Sequence, residues 1–180
     1  MRKFALSLLL TLFAGAASAA GGYANLMDAK VDVSDEASLQ RGAQLFANNC
    51  MGCHAAKFMR WNALPEELGV SMELIEENLI WDSGYQQGDF MTVSMRPEDA
   101  SSWFGAAAPD LSLTARSRGA DWVFTYLNSF YVDPDARIGW NNTLLQNASM
   151  PHVLWQLQGV PEASYEESNN GELKVASIRV

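Results

Sequence analysis

The chain has 180 residues, of which 48 % are hydrophobic and 18 % charged, and its formal net charge is −9. That composition supplies a buried core and excludes a disordered polymer, while the acidic balance excludes nucleic-acid binding as a main role. Two cysteines are too few for a disulfide-dense scaffold, and no run of about 18 apolar residues is present to span a bilayer.

Arg2 and Lys3 precede a largely apolar stretch from Phe4 to Phe13, and Ala17-Ser18-Ala19 follows it. A positive start, a short apolar run and a small-residue cleavage pattern predict a secretory leader over residues 1–19. Its removal takes away two positive and no acidic groups, leaving a mature domain over residues 20–180 with a net charge of −11. Export places both cysteines in an oxidising compartment, where a thiol pair must be bridged, metal-bound or otherwise consumed.

Residues 20–33 read as extended chain. Leu39, Gly42, Ala43, Phe46 and Cys50 recur at the helical period and predict a helix from about Asp35 to about Asn49. Gly42 within it costs about 1 kcal/mol against Ala, which makes sense if another helix crosses closely there. Pro65-Glu66-Glu67 opens a short helical turn, and a further helix follows from Met72 to Leu79. Arg96-Pro97-Glu98-Asp99 starts another helix, which Gly105 stops. Arg116–Arg118 reads as a loop, and Gly119 separates it from a helix over Asp121 to Phe130. Val123, Phe124, Leu127 and Phe130 are expected on one face of that helix. An Asp-, Pro- and Asn-rich loop then leads to Met150-Pro151, residues 161–171 are mostly polar, and Glu172 to Val180 reads as a short strand. The expected class is mostly α with long irregular loops, which suits a core partly filled by something other than protein.

Cys50-Met51-Gly52-Cys53-His54 carries the chemistry. On a helical turn, positions i, i+3 and i+4 share a face, so two thiols can bond one haem while the adjacent imidazole reaches its iron. A thioredoxin-type site would need a βαβ pattern around the motif, and none is present. A zinc site would need two further ligands nearby, and only His152 remains, far downstream. The reading is therefore one haem c, held covalently through Cys50 and Cys53 with His54 as the proximal ligand.

The second axial ligand must come from elsewhere. Of the mature methionines Met27, Met51, Met59, Met72, Met91, Met95 and Met150, most are expected to fill core. Met150 stands apart, because it ends an Asn-rich loop and Pro151 fixes the chain after it. His152, Met91 and Met95 remain open as alternatives.

Several segments then resemble the cytochrome c1 family, the haem c subunit of the bc1 complex, in its proteobacterial form. They are Ser38-Leu39-Gln40-Arg41-Gly42-Ala43-Gln44-Leu45-Phe46, the Cys50–His54 motif, Met95-Arg96-Pro97-Glu98-Asp99-Ala100 and Trp103-Phe104-Gly105-Ala106. Ala108-Pro109-Asp110-Leu111-Ser112, Arg118-Gly119-Ala120-Asp121-Trp122 and Met150-Pro151-His152-Val153-Leu154-Trp155 follow in the same order. The resemblance implies a cytochrome c-type haem domain in which Met150 is the distal ligand and His54 the proximal one. It implies that the Pro109 carbonyl accepts the His54 Nδ1–H bond and that Arg118 meets a haem propionate. Trp61, Trp103, Phe104 and Trp122 would line the pocket or serve as core.

The function so implied is one-electron transfer, from the Rieske iron–sulfur protein to a cytochrome c acceptor, beside cytochrome b and on the periplasmic side of the inner membrane. Family members continue with a helix that crosses the first one and then a membrane anchor. Neither is evident by Val180, so membrane attachment comes from the resemblance and not from these residues. The mature acidic charge suits steering of a basic cytochrome c, although acids such as Glu66, Glu67, Glu73, Glu76 and Glu77 also suit a plain solvated face. The rival readings are a stand-alone monohaem carrier or haem sensor, and a peroxidase-like enzyme with a weak or absent sixth ligand.

Overall fold

A computed structural model describes residues 25–81 and 84–180. The leader read at residues 1–19 lies outside the described residues. Helix α1 (Glu36–Asn49) begins where Asp35 accepts the Ser38 N–H at 2.9 Å, with Glu36 at the positive end of its dipole. It ends as the Cys50 N–H bonds back to the Phe46 carbonyl at 2.9 Å, so the Cys50–His54 motif starts at the helix terminus. Strand β1 (Ala56–Arg60) and a 3-10 turn (Trp61–Ala63) follow, then α2 (Leu64–Leu68) with Pro65 in its first turn, and α3 (Met72–Leu79), capped by Ser71. Strand β2 (Phe90–Met91) pairs antiparallel with β1, whose register shifts between Ala56 and Arg60.

Helix α4 (Pro97–Phe104) stops at Gly105, whose φ of 94° is a left-handed conformation open to glycine. Arg137 donates to the Ser102 carbonyl at the end of this helix, where the dipole favours a cation. Helices α5 (Thr114–Arg118) and α6 (Ala120–Leu127) flank Gly119. Strands β3 (Phe130–Val132) and β4 (Trp140–Asn142) form a second antiparallel pair. After α7 (Trp155–Gln158), strands β5 (Glu162–Glu167) and β6 (Leu173–Arg179) form a third.

The class expected from sequence is corrected here. Among the described residues helix accounts for 36 % and strand for 17 %, so the domain is mixed rather than mostly α. Three two-stranded ladders form. The stretch read as loop after Phe130 supplies β4 and part of β3, the polar stretch 161–171 supplies most of β5, and the short strand expected over Glu172 to Val180 is β6. Backbone pairing, not apolar patterning, makes these strands, so β5 carries no hydrophobic alternation for a reader to find. Two local readings change with it. The Arg116–Arg118 loop is the end of α5, and Phe130 leaves the α6 face to enter β3. The buried face of α6 is Trp122 and Thr125, while Phe124 is 41 % exposed.

The core joins Ala47, Trp61, Leu64, Leu68, Ile75, Leu79 and Met91, drawn from α1, α2, α3, β2 and the turn after β1. Gly42 is not crossed by another helix among the described residues, since a Cβ there would meet nothing within 4 Å. It opens instead on an apolar groove of about 530 Å³ with Ala43, Phe46, Leu79 and Leu113. No described helix is long and apolar enough to cross a membrane.

A second cluster is aromatic. Tyr126 stacks on Trp122 with ring centroids 5.2 Å apart and meets Phe130 edge-on at 5.1 Å. Burial pushes the Tyr126 phenol up to about 12 from its ordinary 10.0, because the phenolate is disfavoured away from water. The folded value lies above the unfolded one. Its contribution to stability is therefore fully present below pH 10 and is lost as pH rises through about 12. The difference in ultraviolet titration between the parent protein and Tyr126→Phe is expected to show no phenolate until that alkaline window. A midpoint near 10 with the fold intact would contradict it.

Candidate functional site

The turn after α1 gathers the motif. Cys53 and His54 both donate their backbone N–H to the Cys50 carbonyl, at 3.0 and 2.9 Å, which brings the two thiols and the imidazole onto one turn. Both thiols are half-buried and unbridged. Burial pushes the Cys50 thiol up, the charge of Cys53 adding to it, and burial alone pushes Cys53 up. A reactive dithiol of the thioredoxin kind calls for the opposite direction.

His54 Nδ1 lies 2.7 Å from the Pro109 carbonyl oxygen. A carbonyl only accepts, so Nδ1 carries the proton and the lone pair falls on Nε2, the nitrogen suited to a metal. Thiols at a three-residue spacing beside an imidazole whose tautomer is fixed fit covalent haem c, and this donor set is where the group would be held.

The segment after Pro109 is stitched to the chain after His54. Leu111 donates to the Ala55 carbonyl at 2.8 Å. Asp110 Oδ2 accepts the Lys57 N–H at 2.9 Å, its Oδ1 accepts the Ser112 N–H at 3.0 Å, and Ser112 Oγ accepts the Phe58 N–H at 3.1 Å. Desolvation raises the Asp110 carboxyl, but hydrogen bonds from Ser112 and Lys57 and the lysine charge outweigh it and hold the group below the usual carboxylate value. Sequence reasoning passed over Asp110 and Ser112. The Asp-x-Ser spacing signals the local turn between them, but nothing local signals the contacts to Lys57 and Phe58.

The other expected residues stand on separate elements. Arg118 is exposed in the last turn of α5, its guanidinium 5.0 Å from the Trp122 ring centroid. Met150 is half-buried at the end of the loop after β4. Met91 belongs to the core. Met95 lines a small cavity of about 180 Å³ with Cys53, Ala100, Ala108 and Asp110. Trp61 and Trp122 are buried in different clusters, and Trp103 is exposed and edge-on to Phe104.

His152 is 2 % exposed. Its ring stacks on Phe130 at 5.3 Å and meets Trp140 edge-on at 5.2 Å. Its Nε2 is buried with no hydrogen-bond partner among the described residues. Burial holds its pKa below the ordinary imidazole value, against a backbone contact with Gly159. A neutral, packed imidazole two residues beyond Met150 anchors the chain there, where sequence alone allowed a surface histidine.

A sequence model of the Cytochrome C1 family matches residues 27–166. Cytochrome c1 of Allochromatium vinosum is 43 % identical over 182 residues, covering 100 % of this chain and 74 % of that protein. A Nitrosomonas europaea protein named ammonia monooxygenase gamma subunit is 45 % identical over 160 residues, covering 88 % of this chain and 67 % of its own. The cytochrome b-c1 complex catalytic subunit, mitochondrial, of Candida albicans is 27 % identical over 121 residues, covering 58 % of this chain and 42 % of its own. With a family match over most of its length and a full-length relative of the same kind, the chain belongs to the cytochrome c1 family, binds haem c covalently and carries electrons in respiration.

Proposed function

We propose that this chain is a subunit of a ubiquinol–cytochrome c oxidoreductase, taking one electron from a Rieske iron–sulfur protein and passing it to a cytochrome c, beside cytochrome b. The leader at residues 1–19 supports delivery of the haem domain at residues 20–180 to the periplasmic side of the inner membrane. The observation that carries this reading is the Cys50–His54 turn with its imidazole pinned to Pro109 at 2.7 Å. When bound, the haem supplies the one-electron Fe(III)/Fe(II) couple.

The chain's own residues do the rest. Cys50 and Cys53 fix the group so that it is not lost after export. His54 offers Nε2, with Pro109 holding its ring and tautomer. Met150 is the residue that would offer a thioether sulfur to the iron, a donor that would favour the reduced state. If His54 and Met150 both hold the iron, no position would be left for an exogenous ligand, which disfavours the peroxidase-like reading. Arg118 is suited to pair with a propionate, its flat guanidinium matching a carboxylate in two hydrogen bonds.

Co-purification of cytochrome b and Rieske subunits from solubilised membranes separates this reading from a free carrier. Steering by the acidic surface is tested by stopped-flow transfer to a basic cytochrome c. Between low and high ionic strength the rate constant is expected to fall roughly tenfold. A rate indifferent to salt would mean that the acids are only a solvated face.

A further inference from the structure

We propose that Asp110 is a positioning residue for the iron-facing imidazole: its carboxylate sets the direction of the Pro109 carbonyl, and through it the orientation and hydrogen bond of His54. This rests on the reading of His54 as an axial ligand.

The argument begins with β1. Its ladder with β2 pairs Ala56 with Met91 and Arg60 with Phe90, and the register shifts in between. The Lys57 and Phe58 N–H groups in this irregular stretch find their acceptors in the side chains of Asp110 and Ser112, at 2.9 and 3.1 Å. The second oxygen of Asp110 turns back to the Ser112 N–H of its own segment at 3.0 Å. One carboxylate therefore bolts two chain segments together, with a charge-assisted bond in each direction.

Pro109 has a fixed φ and no N–H, so its carbonyl direction depends on its own ψ and on how the next residue is held. The next residue is the clamp. On the far side, the Leu111 N–H to the Ala55 carbonyl at 2.8 Å completes the crossing. The peptide that faces His54 is thus held from its C-terminal side, while the imidazole comes from the turn just ahead of β1 at 2.7 Å.

A firm Nδ1–H bond to a carbonyl makes Nε2 a stronger donor and favours the ferric state. Loosening it moves the midpoint potential upward. Loss of a nearby negative charge does the same, so the test separates geometry from charge. Asp110→Asn keeps one acceptor oxygen but turns an amide donor toward a backbone N–H. Asp110→Glu keeps the charge and displaces the oxygens by one methylene.

The experiment uses the exported, haem-loaded full chain and two readouts: the midpoint potential, and hydrogen exchange of the His54 Nδ1 proton and the Lys57 and Ser112 amides in the ferrous protein. Both variants are expected to raise the midpoint and to speed exchange of the His54 Nδ1 proton about tenfold. Ser112→Ala, which removes the acceptor of the Phe58 N–H, is expected to shift the midpoint the same way by less, and it carries the test should Asp110→Asn fail to accumulate. A midpoint unchanged in Asp110→Glu but raised in Asp110→Asn would assign the effect to charge and overturn the proposal. So would faster amide exchange with the His54 proton unaffected, which is what a merely structural bolt would give. If the His54 Nδ1 proton of the parent protein shows no ring-current shift, the axial reading and the proposal fall together. A shifted proton with unchanged midpoints sinks the proposal alone.

Discussion

Met150→Ala is expected to abolish the weak far-red sulfur-to-iron absorption of the ferric protein and to lower its midpoint potential by on the order of 0.1 V or more. A thioether stabilises ferrous iron, and water or hydroxide in its place does not. Met150 is half-buried and is followed by Pro151 and by the packed ring of His152, so the backbone that presents it is held from its C-terminal side. The competing sulfurs give the controls. Met91 is a core residue, so Met91→Leu is expected to keep the band. Met95 shares a small cavity with Cys53, and Met95→Leu is expected to keep the band as well. A band that survives Met150→Ala and disappears with Met95→Leu would move the ligand assignment to the chain just ahead of α4.

Replacing both Cys50 and Cys53 by Ser is expected to give an exported chain whose denatured mass is that of the polypeptide alone, while either single change leaves a fraction still carrying the macrocycle. The loss in the double variant is complete because a thioether survives denaturation and coordination to the iron does not. Cys50 and Cys53 lie on one hydrogen-bonded turn, so neither position can be supplied from elsewhere in the fold. A covalent adduct in the double variant would relocate the attachment site.

The comparison of sequence and structure divides by range. Helix α1 was legible because Asp35 caps it and its apolar residues keep one period. Helix α4 was legible because Pro97 starts it and Gly105 stops it. The motif at Cys50–His54 was legible because its chemistry is packed into five consecutive residues. Wherever pairing is made with distant chain, local pattern was silent. Strand β5 is a separate case: it pairs with β6 across the short connection at residues 168–172, but it is acidic and exposed, so its composition and not its range hid it, and the expected mostly α class fails largely on such strands. Helix α6 is apolar on several sides, and periodicity chose Phe124 and Phe130 where packing chose Trp122 and Thr125. Asp110 reads as an ordinary turn aspartate until Lys57 is seen across from it.

That division has a consequence for the order in which the protein is built. The thiols and imidazole to be joined to the porphyrin are neighbours along the chain and meet in a single turn, whatever the remainder is doing. The Pro109 oxygen that steadies the ring is 55 residues away, and closing a loop of that size costs roughly 3 to 4 kcal/mol of chain entropy. Welding therefore asks nothing of the finished architecture, whereas tuning of the metal waits for it. A chain whose later segments have yet to fold would already carry the three attachment groups side by side, so cofactor insertion is expected to precede the closing of the Pro109 contact.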